Sequence, residues 1–165
     1  MEFHAGDMVM HWNCGIGQVV GQEERIFSGS KFTYYAVQMQ DIIIWVPVDS
    51  KSGSRLRLPT SRSGFKQLLA TLSSPGKPLP ENPFERRTRL LTLLKDNCAE
   101  SLCQIIRDLS AYQEKHTLND NDRKLQKQAR NALLGEWVFV LSVSNEQAEF
   151  ELHSILASKS LELRE

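Results

Sequence analysis

The chain reads as an α+β protein, in which a small curled sheet or partial β-barrel is followed by a bundle of about five α-helices. Two observations predict this. Residues 1 to about 60 alternate apolar and polar with period two, broken by glycine-bearing turns and by no helical pattern. After Pro59 the apolar spacing changes to three and four, the period of a helix with one buried face. The 165 residues are 41% hydrophobic and carry as many acids as bases, the composition of a soluble globular chain. No apolar run approaches the roughly 18 residues of a membrane span.

Taken in order, "DMVMHW" alternates, "GIGQVVG" supplies turn glycines, and "KFTYYAVQM" is aromatic and β-branched. "FSGSKF" predicts a hairpin turn. "DIIIWVPV" is a strand whose Pro47 suits an edge or terminal position, because proline cannot donate to a central ladder. "TSRSGFKQLLATL" opens the first helix, with Phe65, Leu68, Leu69 and Leu72 on one face. "SSPGKPLPENP" is a stiff connector that stops it. Asn82 caps a helix over about 83–96 with Pro83 at its first position. A third helix spans about 98–116 on the stripe Leu102, Ile105, Ile106 and Leu109. Asn119 with Asp122 resembles a capping box for a fourth, about 120–142, carrying Leu125, Ala129, Ala132, Leu133 and Trp137. Ser144 caps a last helix to about 158. The expected units are therefore 1–60 and 61–160, with a frayed tail at 161–165.

The N-terminus lacks the basic start and apolar stretch of a signal peptide, so a cytoplasmic protein is expected. Cys14, Cys98 and Cys103 are odd in number and form no CxxC pair, which argues against a disulfide framework or zinc ribbon and for buried thiols acting as small hydrophobes. Gly15, Gly17 and Gly21 superficially follow a dinucleotide fingerprint, but no helix follows them, and β-turn glycines account for them better. There is no P-loop, GxSxG or HExxH. His11 and Cys14 form an HxxC pair without a second half, and a small enzyme using His4, His11 and Cys14 is the alternative from another class. No catalytic group, cofactor or metal is expected.

The neutral total hides a local pattern. Between 61 and 95 stand Arg62, Lys66, Lys77, Arg86, Arg87, Arg89 and Lys95 against Glu81 and Glu85 alone, which suggests a focused anionic partner. Within "NPFERRTR" the three arginines flank Phe84. Two readings stand side by side. One is a solvated helix face with Phe84 stapled onto the next turn. The other is nucleic-acid contact, with Arg86, Arg87 and Arg89 on phosphates and an aromatic touching a base step. Arg123, Lys124, Lys127 and Arg130 extend the footprint, and Arg123, Lys127 and Arg130 share a helix face.

"FHAGDMVMHWNCGIGQVVG" with "FTYYAVQMQDIIIWVPV", followed by "NPFERRTRLLTLLK" and "IIRDLSAYQEKHTLNDNDRKLQKQARNALLGEW", resembles the CarD/CdnL family of bacterial transcription regulators over residues 3 to 158. The first half is similar to the polymerase-interacting module of transcription-repair coupling factor. The resemblance implies a Tudor-like β domain docking on the β subunit of RNA polymerase. It also implies a helical domain contacting promoter DNA, in the minor groove at the upstream edge of the bubble. A monomer without membrane contact is expected, cytoplasmic and held at the nucleoid through the polymerase. The family's wedge tryptophan falls on Phe84, and Arg89 falls on a basic DNA-contacting position. On the polymerase side the resemblance implies Arg25, Ile43 and Trp45, with Trp45 replacing an arginine. Phenylalanine loses the indole N–H but keeps an insertable face. The alternative within the binding class is a polymerase adaptor or antagonist whose helices contact protein rather than DNA.

Overall fold

The computed structural model describes residues 2–48 and 55–162. Five strands, β1 (Met8–His11), β2 (Gly15–Phe27), β3 (Ser30–Gln38), β4 (Ile43–Pro47) and β5 (Leu56–Arg57), form one antiparallel sheet in the order β4-β3-β2-β1-β5. Five helices follow: α1 (Arg62–Ser73), α2 (Pro83–Lys95), α3 (Ala99–Lys115), α4 (Asp120–Leu141) and α5 (Asn145–Glu162). No helix among the described residues is long and apolar enough to cross a membrane.

The sheet curls because β2 is long and irregular. Its register against β3 slips between Val19 and Gly21, a bulge that sharpens the local twist. The β2–β3 hairpin turns on Ser28 and Gly29, both with positive φ (50° and 81°). That is the left-handed pair whose twist matches the flanking strands. β4 is an edge strand with Pro47 as its last residue, where a missing N–H costs no ladder bond. Gly15, Gly17 and Gly21 all lie within β2, which corrects the expectation of β-turn glycines: the fingerprint-like spacing belongs to a strand.

The helix boundaries follow their caps. Ser61 accepts from the Gly64 N–H, and Asn82 from those of Phe84 and Glu85. Asn119 and Asp122 form the complete reciprocal capping box. The Ser144 hydroxyl accepts from the Gln147 N–H at the head of α5. α5 runs to Glu162, further than expected; of the proposed frayed tail, residues 163–165 lie outside the described residues.

Two apolar clusters organise the interior. Phe3, Val9, Val19, Tyr35, Val37, Met39, Val46 and Leu56 form the core of the sheet. The larger cluster joins α1 to α5 around Phe65, Leu90, Ile105, Leu109, Leu133 and Trp137, and Met10 of β1 reaches into it. The start of β2 and the middle of α4 meet through small residues. A Cβ at Gly135 would lie 3.2 Å from Cγ2 of Ile16, and one at Gly15 would lie 3.6 Å from Cα of Ala132. That close approach lets a strand lie directly on a helix.

Candidate functional site

The first turn of α2 is built to hold one side chain outward. Asn82 has extended backbone angles, its Oδ1 accepts from the N–H groups of Phe84 (2.9 Å) and Glu85 (3.1 Å), and Pro83 fixes the first helical φ. Phe84 then projects from a rigid turn and is 78% exposed. It does not staple onto the next turn. Leaving a phenylalanine in water forgoes about 1.5–3 kcal/mol of burial. Arg87, three residues on and on the same side, is exposed, as is Arg89, whose Nη1 donates to the carbonyl of Pro78 at 3.0 Å.

Arg86 corrects the expectation of a third phosphate contact. It is 3% exposed. Nε and Nη2 donate to the two carboxylate oxygens of Asp122, each at 2.9 Å, and Nη1 donates to the carbonyls of Pro80 and Glu81 and to the Tyr112 hydroxyl. Every guanidinium nitrogen already holds an acceptor, so none is left for DNA. The sequence gives no warning, because Arg86 and Arg87 are adjacent and chemically identical. Helical geometry turns one inward and the other out.

The same ion pair joins the heads of α2 and α4, so the α4 cations begin beside the α2 turn. Arg123 is exposed and pairs with Asp120 at 3.2 Å; Lys124 and Lys127 are exposed, and Arg130 is half-buried. Arg130 lies about 10 Å further along the helix than Arg123. The exposed side chains on this part of the surface are thus Phe84, Arg87, Arg89, Arg123, Lys124 and Lys127, with Arg130 half-buried at its margin.

At the other end, Arg25, Ile43 and Trp45 share the sheet face opposite its core. Ile43 and Trp45 alternate with Ile44, which packs on the sheet core, and with buried Val46. The Arg25 guanidinium lies 4.5 Å over the Trp45 ring and 3.6 Å from the carboxylate of Glu23. Trp45 therefore does not merely remove a charge. Its ring is a platform that holds the remaining arginine against an exposed edge strand.

The His11 corner serves the backbone. Its Nδ1 accepts from the N–H groups of Asn13 (3.2 Å) and Cys14 (3.1 Å), closing the β1–β2 turn. Burial, and then the charge of Arg55, lower its pKa, which favours the neutral ring that can accept. Among the described residues no group of three or more His, Cys, Asp or Glu is placed to hold a metal ion. The cysteines correct the expectation of three buried thiols. Cys103 is buried, and burial pushes its pKa to about 12, but Cys14 and Cys98 are exposed. The Cys98 sulfur caps α3 by accepting from the Ser101 N–H.

Sequence reasoning missed the groups that fix the two ends relative to each other. Glu136 of α4 is fully buried; its oxygens accept from Nη1 and Nη2 of Arg57, both at 2.8 Å, and from the Thr60 N–H and hydroxyl. Burial raises the Glu136 pKa, but these bonds outweigh it and hold the carboxyl below its usual range. Asn97, with φ of 48°, donates from Nδ2 to the carbonyls of Met10 and Arg55. Asp108 accepts from the Lys77 N–H and from Arg107 Nε, pinning the connector to α3. One signal was legible: Glu136 stands between Leu133 and Trp137 on the apolar face of α4, where an unpaired carboxylate would be prohibitive.

Comparison with known proteins matches both halves. The family described as "CarD-like/TRCF RID domain" matches residues 3–62, and that described as "CarD, C-terminal domain" matches residues 67–153. A curated protein named "Putative transcription factor YdeB", from Bacillus subtilis (strain 168), is 22% identical over 148 residues, covering 88% of this chain and 96% of its own length. With both of the family's parts present in order on a matching α+β fold, the chain belongs to the CarD family of transcription regulators.

Proposed function

We propose that the chain docks through its sheet on the β subunit of bacterial RNA polymerase and sets the first turn of α2 against promoter DNA at the upstream edge of the bubble, stabilising the open complex. The sheet unit, 1–60, carries the docking, and the helical unit, 61–160, carries the DNA contact. The protein acts as a cytoplasmic monomer at the nucleoid, without cofactor or catalytic step.

The observation that carries this reading is the exposure of Phe84 on a capped first turn of α2, which also carries the exposed Arg87 and Arg89 and is tied to the head of α4 through Arg86 and Asp122. Neutralising about four phosphates gives a log–log salt slope near −3.6 and non-specific dissociation constants of only ~10⁻⁴ to 10⁻⁶ M. That is too weak to find a scarce target unaided. Docking supplies an effective concentration of roughly millimolar. Inserting an aromatic into intact duplex costs a few kcal/mol of unstacking. At a bubble edge much of that cost is already met, so the protein binds the open state better and shifts the equilibrium by that difference.

Phe84→Ala is expected to shorten the half-life of competitor-challenged open complexes by about fivefold or more, the scale of one lost base stack, with polymerase binding unchanged. An unaltered half-life removes the wedge. Arg25→Glu reverses the charge resting on Trp45 and is expected to reduce co-purification with polymerase while leaving Tm within about 2 °C, as a surface substitution should. Unchanged recovery moves the docking surface elsewhere. If the helices contact protein instead of DNA, forked promoter fragments will show no salt-dependent binding.

A further inference from the structure

We propose that the cavity between the proline-rich connector and α3 seats one unpaired base of single-stranded DNA. This deepens the function proposed above and rests on it. The cavity is about 480 Å³ and is walled by Pro75, Pro78 and Leu79 on one side and Tyr112, Lys115 and His116 on the other, within the roughly 300–1,000 Å³ range of small-ligand sites. Its depth is built in. A Cβ on Gly76 would lie 2.7 Å from Cβ of Ala111, so only a glycine lets the connector press this closely on α3.

Three features choose the occupant. The first is a stacking column. The buried Arg86 guanidinium lies 4.8 Å over the Tyr112 ring, and His116 stacks on the same ring at 4.3 Å and 16°. His116 is exposed, so its ring is open to a further layer. Another flat π-system is the natural next layer, and every base offers one whatever its sequence.

The second is charge. Lys77 and Lys115 line the cavity, but so do Glu81 and Glu114. A free nucleoside triphosphate would bring concentrated negative charge to those carboxylates. A base within a strand brings single phosphates on either side, each able to reach a lysine at the rim.

The third is continuity with α2. Arg89 donates to the carbonyl of Pro78, and Arg86 donates to the carbonyl of Glu81 and to the Tyr112 hydroxyl. The cavity wall and the turn bearing Phe84 are therefore one hydrogen-bonded unit.

The test is fluorescence anisotropy with the full chain, using a forked duplex with a short single-stranded overhang, the same fork with abasic overhang positions, and an intact duplex. His116→Ala is expected to weaken binding to the fork by about fivefold or more, to leave the abasic fork and intact duplex unchanged, and to be rescued by His116→Phe. The wild-type protein is expected to bind the abasic fork more weakly than the normal one, a comparison that needs no variant to fold. Fork binding that falls with Phe84→Ala but ignores both His116→Ala and abasic sites overturns the base seat and leaves the proposed function standing. Absence of any fork binding overturns both. Perturbation of the cavity's NMR signals by a free deoxynucleoside monophosphate, with fork binding indifferent to His116, makes the cavity a nucleotide site and also overturns the proposal.

Discussion

Glu136→Ala is expected to cost about 3–5 kcal/mol of stability, the usual penalty for removing one member of a buried ion pair. The carboxylate is fully buried and accepts four hydrogen bonds, two from Arg57 and two from Thr60. Its loss strands a guanidinium that is 16% exposed, together with the Thr60 N–H at the entry to α1. In a chain of this size each kcal/mol moves Tm by about 2–4 °C, so a fall of roughly 10 °C is expected. The urea midpoint should fall with the slope unchanged. Glu136→Gln should fall between, because an amide oxygen keeps one acceptor but no charge. The pH dependence has a definite sign. The folded carboxyl titrates below the ordinary value near 4.5, so its contribution is complete above that pH and is lost as pH falls through the folded value. The Gln variant should therefore lose less stability on acidification than the wild type. A variant matching the wild-type urea midpoint would show that Arg57 and Thr60 find equal partners elsewhere.

Under the proposed function this clamp has a further consequence. Arg57 lies on the strand next to β1, Glu136 lies on α4, and α4 is tied at its head to α2 through Asp122 and Arg86. A tether raises local concentration only if it delivers the tip in the right place. The chain from sheet to Phe84 therefore passes through two buried ion pairs rather than through a loose linker.

The fold was legible in the sequence because its signals are local. Alternation gave β1 and β3, the apolar run DIIIWVPV gave β4, the FSGSKF stretch gave the hairpin turn, and Asn82, Asn119 and Ser144 each began a helix where expected. β5 escaped because a two-residue strand has no period to read. The site was only half legible. Exposure of Phe84, Arg87 and Arg89 follows from their helix positions, but the fate of Arg86 depends on Asp122, 36 residues away. Arg57 and Glu136 are separated by 79 residues, and the cavity over Tyr112 and His116 forms only when the connector folds against α3. Pairings across such distances leave no spacing in the chain.

Arg86→Ala tests that distinction most sharply. It is expected to cost about 3–5 kcal/mol, since Asp122 would keep a buried charge without its partner. Asp122 also accepts from the Asn119 N–H in the capping box, so the head of α4 should loosen with it. Arg86→Lys should rescue little, because an ammonium cannot make the two parallel bonds of the guanidinium fork. DNA binding will fall in both variants, and taken alone that loss would pass for a missing phosphate contact. Arg87→Ala separates the cases: Tm should stay within about 2 °C, while the log–log salt slope of binding should shrink by about 0.9, one released counterion's share. Thermal unfolding and salt titration of the three variants side by side decide the matter. If Arg86→Lys keeps the wild-type Tm yet loses a phosphate's share of the salt slope, then Arg86 turns outward to meet DNA and its pairing with Asp122 is a resting arrangement.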